Sequence, residues 1–206
     1  VDAVRNLGVV AAKYGIKLVH ISTDYVFDGK SFKPYTEDVA VCPTNVYGRT
    51  KLAGEEALFE QCKDAIIIRT SWLYSSFGNN FVKTMLRLGR ERDELNVIFD
   101  QVGTPTYAAD LAQTILTIIT DREWVSGIYH FSNEGVCSWY DFTIMIHKLA
   151  GIQCKVNPIE SSAYPVRTSR PHYSVLNKTK IKATFNVEIP YWIDSLQRCL
   201  TILENK

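Results

Sequence analysis

The sequence has 206 residues, of which 46% are hydrophobic, and its 23 lysines and arginines nearly balance its 22 aspartates and glutamates. A net charge of +1 excludes the strongly basic surface that a nucleic-acid or anionic-membrane partner would need. The five scattered cysteines show neither a disulfide framework nor zinc-ligand spacing, and no apolar run approaches the roughly 20 residues of a membrane span, so we expect a cytoplasmic protein without a metal.

The first predicted element is a helix that is already under way at residue 1. Val4, Leu7 and Val10 repeat at helical spacing, and Gly15 is a natural C-terminal stop. Because the sequence begins with Val1 and in the middle of this pattern, we expect a preceding segment in the native protein.

The remaining elements alternate between strands and helices. The pattern predicts strands over 17–22, 65–74, 95–99, 127–132 and 155–159. It predicts helices over 45–61, 79–91, 107–120, 138–149, 176–184 and 190–204, with Asn45 and Ser138 as caps. A turn-rich loop runs to residue 43, and a polar loop covers 160–174.

This alternation predicts an α/β fold with a Rossmann-type, doubly wound parallel sheet. The glycine-rich turn that opens such folds is absent, since no two of the 11 glycines are three residues apart. We therefore expect the N-terminal half of the sheet to be missing. Residues 1–75 would form the C-terminal part of the dinucleotide-binding domain and carry the catalytic residues. Residues 76–206 would supply the remainder of the sheet and a small C-terminal α/β substrate lobe.

A tyrosine and a lysine, Tyr47 and Lys51, lie four residues apart on a predicted helix and share one face. A nearby ammonium favours the phenolate of a tyrosine, which suits proton transfer to or from an alcohol oxygen. The pair alone is a weak signal, because this spacing also arises by chance on a surface helix. Thr23 adds context, because it directly follows a buried parallel strand, and ligands bind outside the carboxyl ends of such strands.

The next buried strand brings Trp72 to the same edge of the sheet. Trp72 is either a core residue or an apolar wall with an N–H donor for a sugar ring. Asp24, beside Thr23, is interpreted as a residue that braces the loop and does not react.

Five ordered segments of the sequence resemble the dTDP-4-dehydrorhamnose reductases, which are extended short-chain dehydrogenases. They are HISTDYVFDG (20–29), NVYGRTKLAGE (45–55), IRTSWLY (68–74), GNNFVKTML (78–86) and DQVGTPTYAADLA (100–112). SWYDF (138–142) and RPHYSVL (170–176) continue the resemblance over nearly the whole chain.

The resemblance implies roles for particular residues. Thr23, Tyr47 and Lys51 match the catalytic set of the family. Cofactor contacts are expected from Ser22, Tyr47 and Lys51, with Lys51 holding the nicotinamide ribose. Substrate contacts are expected from Thr23, Tyr25, Trp72, Asn80 and Arg170, of which Asn80 and Arg170 are the weaker candidates. An arginine suits a diphosphate, although Arg170 is equally well interpreted as an ordinary surface residue.

The function implied is reduction of the C4 keto group of dTDP-4-dehydro-6-deoxy-L-mannose to dTDP-L-rhamnose, with NADPH or NADH as cofactor. The choice between the two cofactors stays open, and a homodimer is reasonable for the family. One alternative is a related nucleotide-sugar reductase, epimerase or dehydratase, although Asp24-Tyr25 after Thr23 is not the Asp-Glu pair typical of dehydratases. Another is a non-catalytic regulatory subunit similar to the β subunit of methionine adenosyltransferase.

Overall fold

The computed structural model describes residues 1–120, 123–164 and 170–205. The helices in this part of the chain are α1 (Asp2–Tyr14), α2 (Val46–Gln61), α3 (Phe81–Glu91), α4 (Ala108–Thr120), α5 (Trp139–Leu149), α6 (Thr179–Phe185) and α7 (Trp192–Glu204). The strands are β1 (Val19–Thr23), β2 (Ile66–Thr70), β3 (Leu73–Tyr74), β4 (Glu94–Ile98), β5 (Val102–Gly103), β6 (Thr106–Tyr107), β7 (Gly127–Phe131), β8 (Cys137–Ser138) and β9 (Lys155–Ile159). None of the described helices has the length and apolar composition that crossing a membrane requires.

A parallel sheet in the order β1–β2–β7 lies at the centre of the first hydrophobic core. All five residues of the middle strand β2 are buried, as its run of isoleucines predicts for a strand covered on both faces. The register places Ser22, Arg69 and His130 side by side across the three strands. These three polar side chains therefore share one face of the sheet.

Helices cover both faces of this sheet. On one face Ala11 of α1 and Leu58 of α2 pack in a cluster with Ile67. On the other face Leu111 of α4 and Ile181 of α6 cluster with the isoleucines that alternate with Ile67. The predicted α/β class with a doubly wound parallel sheet is confirmed.

A second core forms between α3, α5 and α7. Phe142 of α5 is fully buried and makes edge contacts with Tyr74 and Trp192. Beside this core β4 pairs with β9 in parallel, and β5 pairs with β8 antiparallel. The proposed division of the chain at residue 75 stays a prediction.

The structure corrects two of the predicted elements. The strand predicted over 65–74 is two strands, because the chain turns at Trp72, which adopts a left-handed backbone with φ of 48°. The helix predicted over 176–184 begins only at Thr179, since Leu176 pairs with Tyr35 and the side chain of Asn177 accepts a hydrogen bond from the Thr179 N–H. Of the predicted loop 160–174, residues 165–169 lie outside the described part of the chain.

Candidate active site

A cavity of about 410 Å³ opens where β1 and β2 end. Six of the eight predicted site residues line it, namely Ser22, Thr23, Tyr25, Tyr47, Lys51 and Trp72. Asn80 and Arg170 are not among the described residues of its lining. Residues from three strands, helix α2 and the connecting loops therefore meet at the edge where parallel sheets bind ligands.

Helix α2 carries Tyr47 and Lys51 into this cavity, and its first turn is fixed at two points. The side chain of Asn45 accepts a hydrogen bond from the Gly48 N–H at 2.8 Å, so the predicted cap is confirmed. A Cβ at Gly48 would overlap the carbonyl oxygen of Tyr25 and approach Pro43 to 2.9 Å. Sequence reasoning missed Gly48, which lets α2 pack directly against the loop after β1.

Lys51 reaches from α2 to the sheet edge. Its Nζ donates a hydrogen bond of 2.7 Å to the carbonyl oxygen of Ile21. Burial lowers the pKa of Lys51, and the charge of Glu55 acts in the opposite direction. An ammonium group has three donors, so two remain for hydroxyl groups of a bound ligand.

Tyr47 stands at the mouth of the cavity with about half of its surface exposed. The ring of Tyr25 meets it edge to face, with centroids 5.5 Å apart. Burial, and then the charge of Asp24, raise the pKa of Tyr25, while Arg170 acts in the opposite sense. Arg170 is exposed and lies within electrostatic reach of Tyr25, although it does not line the cavity.

Thr23 and Asp24 form a buried pair at the floor of the cavity. The Thr23 hydroxyl accepts the Tyr25 N–H at 3.2 Å and donates to Asp24 Oδ1 at 3.0 Å. Burial raises the pKa of Asp24 to about 6, against the hydrogen bonds from Ser174 and Thr23. Asp24 begins a short 3₁₀ turn, Asp24–Val26, and is also one of the residues that line the cavity.

Trp72 forms one wall of the cavity through its unusual backbone and a stacked partner. Its ring lies on Trp139 with centroids 3.6 Å apart and planes 10° apart. A Cβ at Gly103 would come within 2.6 Å of the Trp72 ring. The core and wall interpretations of Trp72 therefore combine, because one part of the ring packs on α5 and another lines the cavity. Trp139 carried no signal in the sequence that linked it to this site.

Asn80 is used as the cap of α3. Its Oδ1 accepts the Lys83 N–H at 3.2 Å, and its Nδ2 donates to the Ser75 carbonyl at 2.6 Å. These bonds engage both polar atoms of the side chain in local structure, and a substrate contact by Asn80 stays a prediction.

The residues present fit a nicotinamide cofactor on the donors that they offer. Within the described part of the chain, Lys51 Nζ has one hydrogen-bond acceptor, the Ile21 carbonyl, which leaves two of its three donors for a ligand. The hydroxyl of Ser22 is buried and has no partner among the described residues. Both groups lie in the cavity with Tyr47, and hydroxyl groups of a ribose would satisfy them.

Comparison with known proteins gives a consistent result. A family model described as the RmlD substrate binding domain matches residues 1–205. The dTDP-4-dehydrorhamnose reductase of Escherichia coli (strain K12) is 42% identical over 98% of this chain and 70% of that protein. A solved dTDP-4-dehydrorhamnose reductase from Clostridium acetobutylicum has a TM-score of 0.94 at 43% identity, over 98% of this chain and 71% of that chain.

A second solved reductase bears on the cofactor. The dTDP-4-dehydrorhamnose reductase of Bacillus anthracis, determined in complex with NADP, has a TM-score of 0.91 at 41% identity, over 98% of this chain and 70% of that chain. Against each of these three relatives the chain spans about 70% of the relative's length.

Proposed function

The chain belongs to the RmlD substrate binding domain family, and we propose that it reduces the C4 keto group of dTDP-4-dehydro-6-deoxy-L-mannose, which yields dTDP-L-rhamnose. The observation that carries the proposal is the single cavity at the carboxyl end of β1 and β2, which Thr23, Tyr47 and Lys51 line together. NADPH or NADH supplies the hydride when it is bound.

The proton comes from the chain itself. Tyr47 donates its hydroxyl proton to the C4 oxygen as that oxygen gains negative charge, and the product is a neutral alcohol. The ammonium of Lys51 then stabilises the phenolate that remains, until a proton from solvent restores it. The partial burial of Lys51 strengthens this interaction, because charges act over a longer range away from water.

Thr23 orients the keto oxygen, and its hydrogen bonds limit how it does so. A threonine hydroxyl has one proton, and that proton is directed at Asp24. When Asp24 is ionised, Thr23 has no donor for the substrate. When Asp24 holds a proton, it donates to Thr23, and Thr23 donates to the keto oxygen.

Tyr25 and Trp72 would contact the sugar ring, and Arg170 would contact the diphosphate. Tyr25 and Trp72 support this by lining the cavity, and Arg170 supports it through its electrostatic interaction with Tyr25. Arg170 would therefore reach the diphosphate from the rim of the site. We also propose that the protein acts in the cytoplasm on this small molecule. We further propose that it forms a homodimer, and light scattering of the native protein tests this.

The test follows NADPH absorbance in the presence of dTDP-4-dehydrorhamnose, with the native protein that carries this sequence. Tyr47→Phe should lower kcat at least about 100-fold, because a positioned proton donor contributes roughly that much. The control is Tyr14→Phe, since Tyr14 is 65% exposed on α1 and is not part of the cavity.

Two results would contradict the proposal. Undiminished turnover in Tyr47→Phe would remove Tyr47 from the chemistry. A folded native protein that binds NADPH without turning over this substrate would favour a regulatory subunit or a different sugar.

A further inference from the structure

Helix α2 presents a third ionisable residue on the face that carries Tyr47 and Lys51. Glu55 follows Lys51 by four residues, as Lys51 follows Tyr47, so the three side chains line up along the helix. Tyr47 is half exposed, Lys51 is partly buried, and Glu55 is 2% exposed. The row therefore runs from the mouth of the cavity down into the sheet.

Glu55 ends this row in a buried ion pair with Arg69, on the middle strand β2. Arg69 donates to both carboxylate oxygens, from Nε at 3.1 Å to Oε1 and from Nη2 at 2.7 Å to Oε2. Each of the two side chains is only 3% exposed. A pair with this two-point geometry fixes orientation as well as charge.

Among the described residues, the other side chains in direct contact with Arg69 are uncharged. Its guanidinium lies 5.3 Å from the centroid of the Phe27 ring. Its neighbour on β7 is His130, whose pKa is lowered to about 3 by burial and then by Arg69 itself, so that this histidine is uncharged at neutral pH. The Nη1 atom of Arg69 has no partner among the described residues. Glu55 is thus the carboxylate that balances Arg69.

The desolvation free energy of this buried ion pair makes it a poor device for stability alone. Burying two charges removes them from water, and well-packed apolar residues of similar size often do as well or better. Tyr47 and Lys51 precede Glu55 on the same helix, so the ion pair can also affect their charge and position. The carboxylate influences Lys51, since Glu55 counteracts the effect of burial on the pKa of Lys51.

We propose that Glu55 and Arg69 are positioning residues for the reaction: they tie α2 to the centre of the sheet and hold the net charge behind Lys51 and Tyr47 near zero. This inference rests on the proposed function, in which Tyr47 is the proton donor. A pair that only stabilised the fold would leave kcat unchanged in a folded variant that keeps both charges.

The size of the electrostatic effect follows from the helix. Eight residues separate Tyr47 and Glu55, which corresponds to about 12 Å along the axis. Because Tyr47 is half exposed, the effective dielectric constant lies between about 20 and the roughly 80 of water, and an unbalanced unit charge at that distance moves a titration midpoint by about 0.3 to one pH unit.

Other titratable or charged groups face this region and are the same in every variant. They are His20 on β1, His130 on β7, Asp24 and Tyr25 after β1, Glu37 at the His130 N–H, and Arg170 beside Tyr25. A difference between the pH profiles of variants therefore isolates Glu55 and Arg69.

The experiment compares Glu55→Gln with the double variant Glu55→Gln/Arg69→Met in the native protein. Turnover in the reducing direction falls as pH rises for two reasons: Asp24 loses the proton that lets Thr23 donate to the substrate, and Tyr47 loses the proton that it donates. In Glu55→Gln the unbalanced Arg69, which keeps its charge at every accessible pH, should move the Tyr47 step to lower pH by about 0.3 to one unit. The double variant removes both charges and should return the midpoint to that of the native protein, although kcat stays lower.

Two further variants separate charge from packing. Glu56→Gln removes the same charge from an exposed neighbour on α2 and should leave the midpoint unchanged. Glu55→Asp keeps the charge but shortens the side chain, so kcat should fall several-fold at an unchanged midpoint. This variant also carries the test if Glu55→Gln does not fold, and a shifted midpoint or an unchanged kcat in it would overturn the proposal.

A second measurement keeps this inference separate from the proposed function. The tyrosinate absorbance of Tyr47, obtained as the difference from Tyr47→Phe in each background, reports the midpoint without turnover. If the native protein reduces the substrate and Glu55→Gln leaves both midpoints in place, the inference is wrong and the function stands. If the absorbance midpoint shifts in a protein that has no reductase activity, the function is wrong and the electrostatic coupling stands.

Discussion

Two buried aspartates in this molecule have opposite surroundings. Asp110, at the start of α4, is surrounded by donors: Asn133 at 2.7 Å, Ser195 at 2.5 Å and Arg198 at 2.5 Å. Asp24, at the cavity, has the Thr23 hydroxyl at 3.0 Å and an interaction with Ser174. Its Oδ2 is buried without a partner among the described residues.

The comparison shows that Asp110 stabilises the fold, whereas Asp24 keeps hydrogen-bonding capacity that a ligand or a proton can use. A saturated network rigidifies the structure around it, while a buried atom with unused capacity is costly unless a ligand or a proton satisfies it. The Asp110 network joins α4 to α7, and its hydrogen bonds among the described residues involve none that line the cavity. Asp24 contacts the residue that would orient the substrate.

The largest effect is expected at the saturated site. Asp110→Ala should lower the free energy of unfolding by about 4 kcal/mol, because it removes the charged acceptor of two buried hydrogen bonds, from Asn133 and from Ser195, each worth roughly 1.5–3 kcal/mol. Arg198 adds little to this figure, since its side chain is 50% exposed and screened by solvent. Urea unfolding measures the loss.

The control for this prediction is the exposed Asp93. Asp93→Ala should change the stability by less than about 0.5 kcal/mol, as surface substitutions do. A loss below about 1 kcal/mol in Asp110→Ala would contradict the role given to the network.

Asp24→Asn should raise the free energy of unfolding at neutral pH. Burial raises the pKa of Asp24 from 3.8 to about 6, so the folded protein binds a proton more tightly than the unfolded chain does. Stability contributed by this group is therefore present at low pH and is lost as pH rises from about 4 to about 6. The variant should match the native protein near pH 4 and exceed it by up to about 3 kcal/mol near pH 8.

Asp28→Asn provides a control of reversed sign. Hydrogen bonds from the Lys30 N–H and from Tyr35 lower the pKa of Asp28. Its carboxylate stabilises the fold at neutral pH, and that contribution is lost on acidification. The Asp28→Asn protein should therefore be less stable than the native protein near pH 8 and similar in acid. Equal pH dependence of the two variants would contradict the raised pKa of Asp24.

The smallest effect is expected for Trp139→Leu. Trp139 belongs to the second core, but its ring also stacks on Trp72 in the cavity wall. Loss of the stacked ring removes about 1 kcal/mol that holds Trp72 in place. The KM for the sugar nucleotide should rise several-fold while kcat stays nearly constant. Steady-state kinetics beside Tyr191→Leu, an exposed aromatic residue of the same region, separates this from a general loss of packing. A fall in kcat with an unchanged KM would contradict it.

Much of the fold was predictable because its signals are local. The caps at Asn45 and Ser138 occur as expected, and Ser138 forms a complete capping box with Asp141. The isoleucine run of β2 predicted its place between covering helices. The bend at Trp72 was not predictable, since the apolar run continues through it and the turn is fixed by stacking on Trp139 and contact with Gly103.

The candidate site divides in the same way. The spacing of Tyr47 and Lys51 on one face of α2 follows from helix geometry, and the position of Thr23 follows from the end of a buried strand. The direction of the Lys51 ammonium towards Ile21, and the capping role of Asn80, depend on contacts that the sequence does not reveal.

The sequence by itself determined the order of the helices and of the longer strands, because periodicity, capping and strand direction act within a few residues of the chain. Its resemblance to a known family indicated that Thr23, Tyr47 and Lys51 act together. Only the tertiary structure decided that Glu55 meets Arg69, that Asp110 is saturated and that Asp24 is not. The cost of burying a charge depends on which donors surround it, and those donors come from residues up to 88 positions away in the chain.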